Sequence, residues 1–384
     1  MMRTKILHII SGKTFSGEEE KLFNLCRFYN REQFDVHVIV FWDELLASLL
    51  RELGVSVHLV AMKTRFDLRT FFKVVKIVKQ QDIDIIISHS GRTALIARMA
   101  HIICRKPVVT ILTAPILRDT NSLKLKRWNF RLERWTSRWT VKYATANREI
   151  GEELIRYGED PSKITLIYNA IDYLKFHKEL EKSETLKKEL GLEPKSNLVG
   201  MVAAFRPRKG AEYLIKAIPV VLQQVPETWF VFVGHGEWVE GKDYIDLLRT
   251  LAASLNVDSH AIFIGFRRDV PSVIRSLDVL ILPSLFGEGS SMVLMEAMAL
   301  ERPVISTLTE GNREVVEDGI TGLLVPPADE KSLGQAIINL LSDREKARKM
   351  GEAGRDRVNR MFRAEVMARN YEKLYEEILI DRVK

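Results

Sequence analysis

The chain has 384 residues, 46% hydrophobic and 28% charged, with a net charge of +7. That length suffices for two domains with separate cores, and the balance is that of a soluble globular protein. No run approaches the ~18 apolar residues of a transmembrane helix. Cys26 and Cys104, the two cysteines, form no metal-binding or redox spacing, as expected of a reduced cytoplasmic protein.

The first apolar run, Ile6 to Ile10, is broken by His8. It is too short for a signal peptide and fits a first β-strand. A helix near Glu18–Tyr29 follows, then FDVHVIVF, a helix near Asp43–Leu53, VSVHLV, a helix near Leu68–Lys79, IDIIISH, a helix near Arg92–Cys104, and PVVTIL. Alternation of unbroken apolar strands with amphipathic helices predicts a parallel sheet covered on both faces. After YNAIDYLKF the pattern restarts with NLVGMVAAF, WFVFVGHG, AIFIGF, DVLILP and PVIST, each separated from the next by a helix. The expected division is a first α/β domain over 1–172, a polar linker over 173–195, a second α/β domain over 196–363, and a closing helix over 364–384. That helix has more apolar positions than a free tail needs and is expected to dock, crossing back to the first domain.

Charge is unevenly spread. Residues 1–172 carry 28 Lys and Arg against 19 Asp and Glu, and the remainder 30 against 32. The first half is therefore expected to meet something anionic: nucleic acid, a membrane surface and a phosphorylated substrate all fit. The most basic segment, Ser122 to Trp139, places Leu125, Trp128, Leu132, Trp135 and Trp139 at helical spacing. Lys126, Arg127, Arg131, Arg134 and Arg138 surround that stripe. Such a helix can lie on anionic lipid, or its apolar stripe can pack on the sheet while its arginines are solvated. No nucleic-acid motif accompanies the charge.

Ligands of open α/β sheets bind beyond the carboxyl ends of strands, where helix N-termini present free N–H groups. Ser11–Gly17 follows the first strand, but a P-loop needs glycine five positions before Gly12, and that residue is Leu7. Gly17 can still admit a phosphate closely. Phe205-Arg-Pro-Arg-Lys-Gly210 sets three cations in a glycine-ended turn, a geometry able to clamp a diphosphate. Phe286-Gly-Glu-Gly-Ser-Ser291 brings glycines that let the backbone approach a ligand, and Ser290 or Ser291 is expected to cap the next helix. Glu296 then stands two turns into an otherwise apolar helix that Pro303 ends. A carboxylate there can accept hydrogen bonds from both hydroxyls of a ribose.

Glu288 and Glu296, with seven residues between them in PSLFGEGSSMVLMEAMALERPVIST, resemble the Glu–seven residues–Glu signature of the group 1 (family 4-like) glycosyltransferases. These are retaining nucleotide-sugar enzymes of the GT-B fold, two Rossmann-like domains facing a central cleft. ITLIYNAIDYLKF, VAAFRPRKGAEYLIKAI, FVGHGE, IFIGFRRDV and DGITGLLVPPAD recur in the family's order. The resemblance implies that Arg206 and Lys209 hold the donor pyrophosphate and stabilise it as leaving group without a metal or other cofactor. It places Glu288 by the donor sugar with Gly289, Ser290 and Ser291, Glu296 on the ribose, Phe266 and Arg267 beside the base, and Gly17 near the phosphates. UDP or GDP is the expected nucleotide, and a glycan, a lipid-linked glycan or a small molecule the acceptor.

Two departures stand out. Ala204 takes the place of a family arginine, for which Arg206 can substitute, and Thr113 that of a family histidine. His89 is then the histidine placed for the acceptor side, although a histidine at a strand end is more often a structural hydrogen-bonder than a catalytic group. The same motifs allow two other functions, a nucleotide-sugar epimerase or hydrolase and a non-catalytic nucleotide-sugar or glycan-binding partner. A dinucleotide oxidoreductase is disfavoured, since no Gly-x-Gly-x-x-Gly follows either first strand. The expected location is the cytoplasm, peripheral on the inner face of the membrane if the basic helix meets lipid.

Overall fold

The computed structural model describes residues 3–13, 15–62, 68–114, 131–179, 186–239 and 242–383. They form two compact units, Met1–Ala170 with Ala364–Lys384, and Ile171–Arg363.

The first unit is a seven-stranded parallel sheet in the order β3-β2-β1-β4-β5-β6-β7. Its strands are β1 (Thr4–Ile10), β2 (Phe34–Val40), β3 (Ser56–Leu59), β4 (Ile85–His89), β5 (Val108–Leu112), β6 (Lys142–Thr145) and β7 (Ile164–Leu166). Period-two alternation divides the apolar residues of β1 between two cores. Ile6 and Ile10 pack with α1 (Gly17–Phe28), α2 (Leu45–Glu52) and the closing helix. Leu7 and Ile9 pack on the other face with α3 (Leu68–Gln80) and α4 (Ser90–Cys104). Beside α4 lie α5, over residues 131–136, and a 3-10 turn (Ser137–Trp139), and α6 (Arg148–Arg156) follows β6. Lys126 and Arg127 lie outside the described residues.

Buried Arg98 of α4 secures α5. It donates to Glu133 at 2.6 Å, Thr136 at 2.9 Å and Thr140 at 2.8 Å. An unpaired buried guanidinium would be costly, so these contacts fix where the segment sits.

In the second unit α7 (Tyr173–Glu179) and α8 (Leu186–Glu189) precede a six-stranded parallel sheet in the order β12-β9-β8-β13-β14-β15. Its strands are β8 (Asn197–Val202), β9 (Thr228–Val233), β12 (Ala261–Gly265), β13 (Val279–Leu282), β14 (Val304–Thr307) and β15 (Leu323–Val325), with a hairpin of β10 (Trp238–Val239) and β11 (Lys242–Asp243). The helices are α9 (Ala211–Gln224), α10 (Tyr244–Ser254), α11 (Val270–Arg275), α12 (Met292–Ala299), α13 (Asn312–Val315), α14 (Glu330–Ser342) and α15 (Arg344–Met361). Strand order runs outward from β8 in one direction and from β13 in the other. The carboxyl ends of that pair are the topological switch point, where an open sheet of this kind binds ligands.

The closing helix, α16 (Ala364–Val383), belongs to the first unit. Met367, Ala368, Tyr371, Leu374, Tyr375 and Ile378 are buried in the core shared with α1. Each large side chain so buried contributes about 1.5–3 kcal/mol, so α16 is part of the core it joins.

Candidate active site

Two loops meet at the switch point of the second unit. After β8 the chain turns through a 3-10 helix, Pro207–Lys209, which ends at Gly210 in the left-handed region at φ 67°. A Cβ there would stand 2.1 Å from the carbonyl oxygen of Pro283, so only glycine lets this turn approach the loop after β13. Leu285 N–H donates to the Arg208 carbonyl at 2.8 Å and stitches the two loops together.

Glu288 lies in that second loop, buried beneath the cations of the first. Lys209 Nζ donates to its Oε1 at 2.6 Å, as does Ser284 Oγ at 2.6 Å. Arg208 Nη1 is 3.7 Å from the same oxygen and donates to the Gly287 carbonyl at 3.2 Å. Burial pushes the Glu288 carboxyl up, but the charges of Lys209 and Arg208 and the hydrogen bonds from Lys209 and Ser284 outweigh it, leaving it below the ordinary range. Glu288 is therefore an anion at neutral pH, and Lys209 keeps two further N–H donors for a ligand.

The loop ends at α12. Glu296 is buried on that helix, one turn beyond its N-terminus, among Leu294, Met295 and Ala297. Ser291, one of the two serines expected to cap α12, occupies the N-cap position, but its side chain makes no capping hydrogen bond. Ser290 is buried beside it, after Gly289. From behind, a Cβ at Gly311 would lie 1.2 Å from the Gly289 carbonyl oxygen, so the segment after β14 presses directly on the glutamate loop.

Several expected site residues sit differently. Arg206 turns away, its Nε 3.4 Å from Glu237 and nearly half its side chain exposed. The cation beside Glu288 and Lys209 is Arg208, which the three-cation turn contained but the choice of Arg206 passed over. Phe266 is exposed in the loop after β12, with its ring 6.3 Å from that of His235. Arg267 is engaged by Asp269 and Glu189, whose hydrogen bonds hold its guanidinium above its usual range.

In the first unit, Gly17 opens α1, and Glu19 accepts the Ser16 N–H at 3.2 Å at the same helix start. His89 ends β4 and Thr113 follows β5, both at the carboxyl ends of neighbouring strands. Thr113 is half-buried, but His89 is wholly buried, its Nε2 2.9 Å from His8 Nδ1. Burial and the nearby charges of His8 and Lys21 keep that imidazole well below its ordinary pKa. The acceptor-side role expected of His89 is therefore corrected: it is a neutral, internal hydrogen-bonding group. Arg131 and Arg134 are exposed on α5.

Two family models match nearly the whole chain in sequence order: Glycosyltransferase Family 4 over residues 16–173 and Glycosyl transferases group 1 over residues 182–357. The chain belongs to the group 1 glycosyltransferases of GT-B fold. It is 25% identical over 355 residues to an Escherichia coli UDP-Gal:alpha-D-GlcNAc-diphosphoundecaprenol alpha-1,3-galactosyltransferase, covering 89% of each chain. It is 30% identical over 229 residues to the N-acetyl-alpha-D-glucosaminyl L-malate synthase of Bacillus anthracis, 60% of this chain and 57% of that one. Among solved structures, Anabaena Alr3699/HepE in complex with UDP-glucose superposes with a TM-score of 0.85 at 22% identity, over 98% of this chain and all of that one.

Proposed function

We propose that the enzyme transfers a sugar from a nucleotide-diphosphate donor, UDP- or GDP-linked, to a glycan carried on a lipid, with retention at the anomeric carbon. The observation that carries this reading is the pairing of buried, ionised Glu288 with Lys209 and Arg208 at the switch point, directly before the helix that holds Glu296. Lys209 and Arg208 would neutralise the diphosphate as it departs, the electrostatic part of catalysis. Glu288 would hold the sugar and Glu296 the ribose. Phe266, exposed beside His235, would meet the base.

In the step proposed, the bond from the anomeric carbon to the diphosphate oxygen breaks and a bond to the acceptor oxygen forms on the same face. The acceptor proton passes to the departing phosphate oxygen. Glycosidases instead retain configuration with two carboxylates ~5–5.5 Å apart and a covalent intermediate, an arrangement that the Glu288 and Glu296 roles do not call for. The printed name of the Escherichia coli relative supports a UDP-sugar donor and an acceptor on a polyprenyl diphosphate.

Nucleotide release from a panel of UDP-, GDP- and ADP-sugars tests the reading, with wild type beside Lys209→Ala and Glu296→Ala. Release from one donor, accelerated by membrane extract and lost in both variants, is the expected result. Tight donor binding without release, even with extract, would leave a non-catalytic binding protein as the better account. Failure to bind any donor would remove Glu296 from the ribose.

A further inference from the structure

The helical layer on one face of the first unit's sheet has an outer surface that the donor site does not use. It consists of α3, α4 and α5 with the 3-10 turn that follows. Its inner side is accounted for: Phe71, Val74, Val75 and Val78 of α3 and Ile96, Ala97 and Ala100 of α4 fill the core. Its outer side carries charge of nearly one sign. Arg69, Lys73, Lys76 and Lys79 line the exposed side of α3, and Arg105, Arg131, Arg134 and Arg138 continue the series across α4 and α5. Leu68–Gln80, Ser90–Cys104 and residues 131–139 contain a single carboxylate, Glu133, and it is engaged by buried Arg98 at 2.6 Å. Lys73, Lys76 and Lys79 make no ion pair among the described residues.

Set among these cations are apolar side chains that the core leaves outside. Phe72 is 61% exposed between Phe71 and Lys73, Ile102 and Ile103 are exposed near the end of α4, and Trp135 is 57% exposed. Arg138 lies 4.8 Å from the Trp135 ring and 4.6 Å from that of Trp139, so a cation and two indoles form one surface cluster. A single exposed apolar residue needs no explanation. Here four lie on one helical layer that is otherwise cationic.

We propose that this layer docks on an anionic lipid surface. Lysines of uniform sign are drawn to acidic headgroups, at about 1 kcal/mol for each basic residue near the surface. Phenylalanine, isoleucine and tryptophan at the same level enter the interfacial zone. A soluble polyanion would use the charges and leave these four apolar groups in water, so charge and apolar exposure together select lipid. Contact is peripheral: no helix among the described residues is long and apolar enough to span a bilayer. The inference deepens the lipid-borne acceptor proposed above and rests on it for its purpose, but lipid binding is measured apart from transfer.

The test is cosedimentation of the full chain with phosphatidylcholine vesicles, with and without phosphatidylglycerol. The expected result is binding only to the acidic vesicles, weakening steeply with salt. Lys73→Glu/Lys76→Glu/Lys79→Glu should weaken it on the order of a hundredfold. Phe72→Ser/Ile103→Ser should weaken it while leaving the salt dependence intact. Nucleotide release assayed on the same preparations should stay at the wild-type level in both variants, which also shows that they fold. Wild-type protein that ignores acidic vesicles would overturn the proposal. So would a lysine triple variant that binds as wild type does, or binding that heparin abolishes and the apolar variant leaves untouched, the mark of a soluble polyanion partner. None of these outcomes bears on donor release, so this inference and the transferase reading fail separately.

Discussion

Arg206 and Arg208 are two positions apart in one turn, yet they face different partners, and the difference predicts their kinetics. Arg208 shares Glu288 with Lys209, whereas Arg206 meets Glu237 at the exposed rim. Arg208→Ala should lower kcat for nucleotide release on the order of a hundredfold, the scale for a group that stabilises developing charge. Arg206→Ala should cost less than about fivefold, as expected of a surface ion pair. The reverse order would return the diphosphate to Arg206. Lys21 makes a different prediction. It is fully buried on α1, with Nζ 5.4 Å from the centre of the Tyr371 ring, and burial lowers its pKa to about 7 despite the opposing charge of Glu18. Its unfolded value is near 10.4, so above pH 7 the unfolded chain holds a proton that the folded chain has lost. Its stabilising contribution is complete above the unfolded pKa and disappears as pH falls through about 7. Unfolding free energy measured by urea from pH 7 to 8.5 should therefore rise by about 1 kcal/mol per unit from this group. Lys21→Met should flatten that rise. The Cys26 thiol, raised by burial to about 12, opposes this rise only towards pH 8.5, where the unfolded thiol begins to lose its proton.

Helices and loops divide the work differently from what their sequences announce. The segment after β14 fixes the glutamate loop through the backbone. At Gly311 the obstacle to a Cβ is a carbonyl oxygen, which cannot swing aside as a flexible side chain would. Gly311→Ala should force the Gly289 loop outward, cost roughly 1–3 kcal/mol and lower Tm by several degrees. Nucleotide release should be lost while far-UV dichroism stays native. Retention of full activity would mean that the loop position is not what the site depends on. Most long elements were legible, because their apolar residues recur with a clean period: α12 ends where Pro303 foretold, and α16 docks through its apolar face. The short ones were not. KYAT and ITL, which become β6 and β7, and LLV, which becomes β15, are too brief to show a period. They are held by pairing with neighbours distant in sequence. The choice of Arg208 over Arg206 was invisible for a related reason, since it depends on which way a side chain turns after a tertiary contact.

For the molecule as a whole, alternation of strand and helix, the restart after YNAIDYLKF and the ordered motifs sufficed to give two parallel sheets. What they left open was the use of the basic half, because net charge has no direction until helices have faces. The described residues give it one, on α3, α4 and α5. The closing helix has a consequence of another kind. The first unit is discontinuous in the chain: its sheet is complete by residue 166, but Tyr29 and Phe34 are covered by Tyr375 of α16. During synthesis the second unit, continuous over Ile171–Arg363, emerges before that covering helix. At ribosomal speeds of roughly 5–20 residues per second, the first unit waits on the order of ten seconds or more with an apolar flank open to water. The half made first is thus the half finished last, and the nascent protein holds an apolar flank open in its more basic half until α16 arrives.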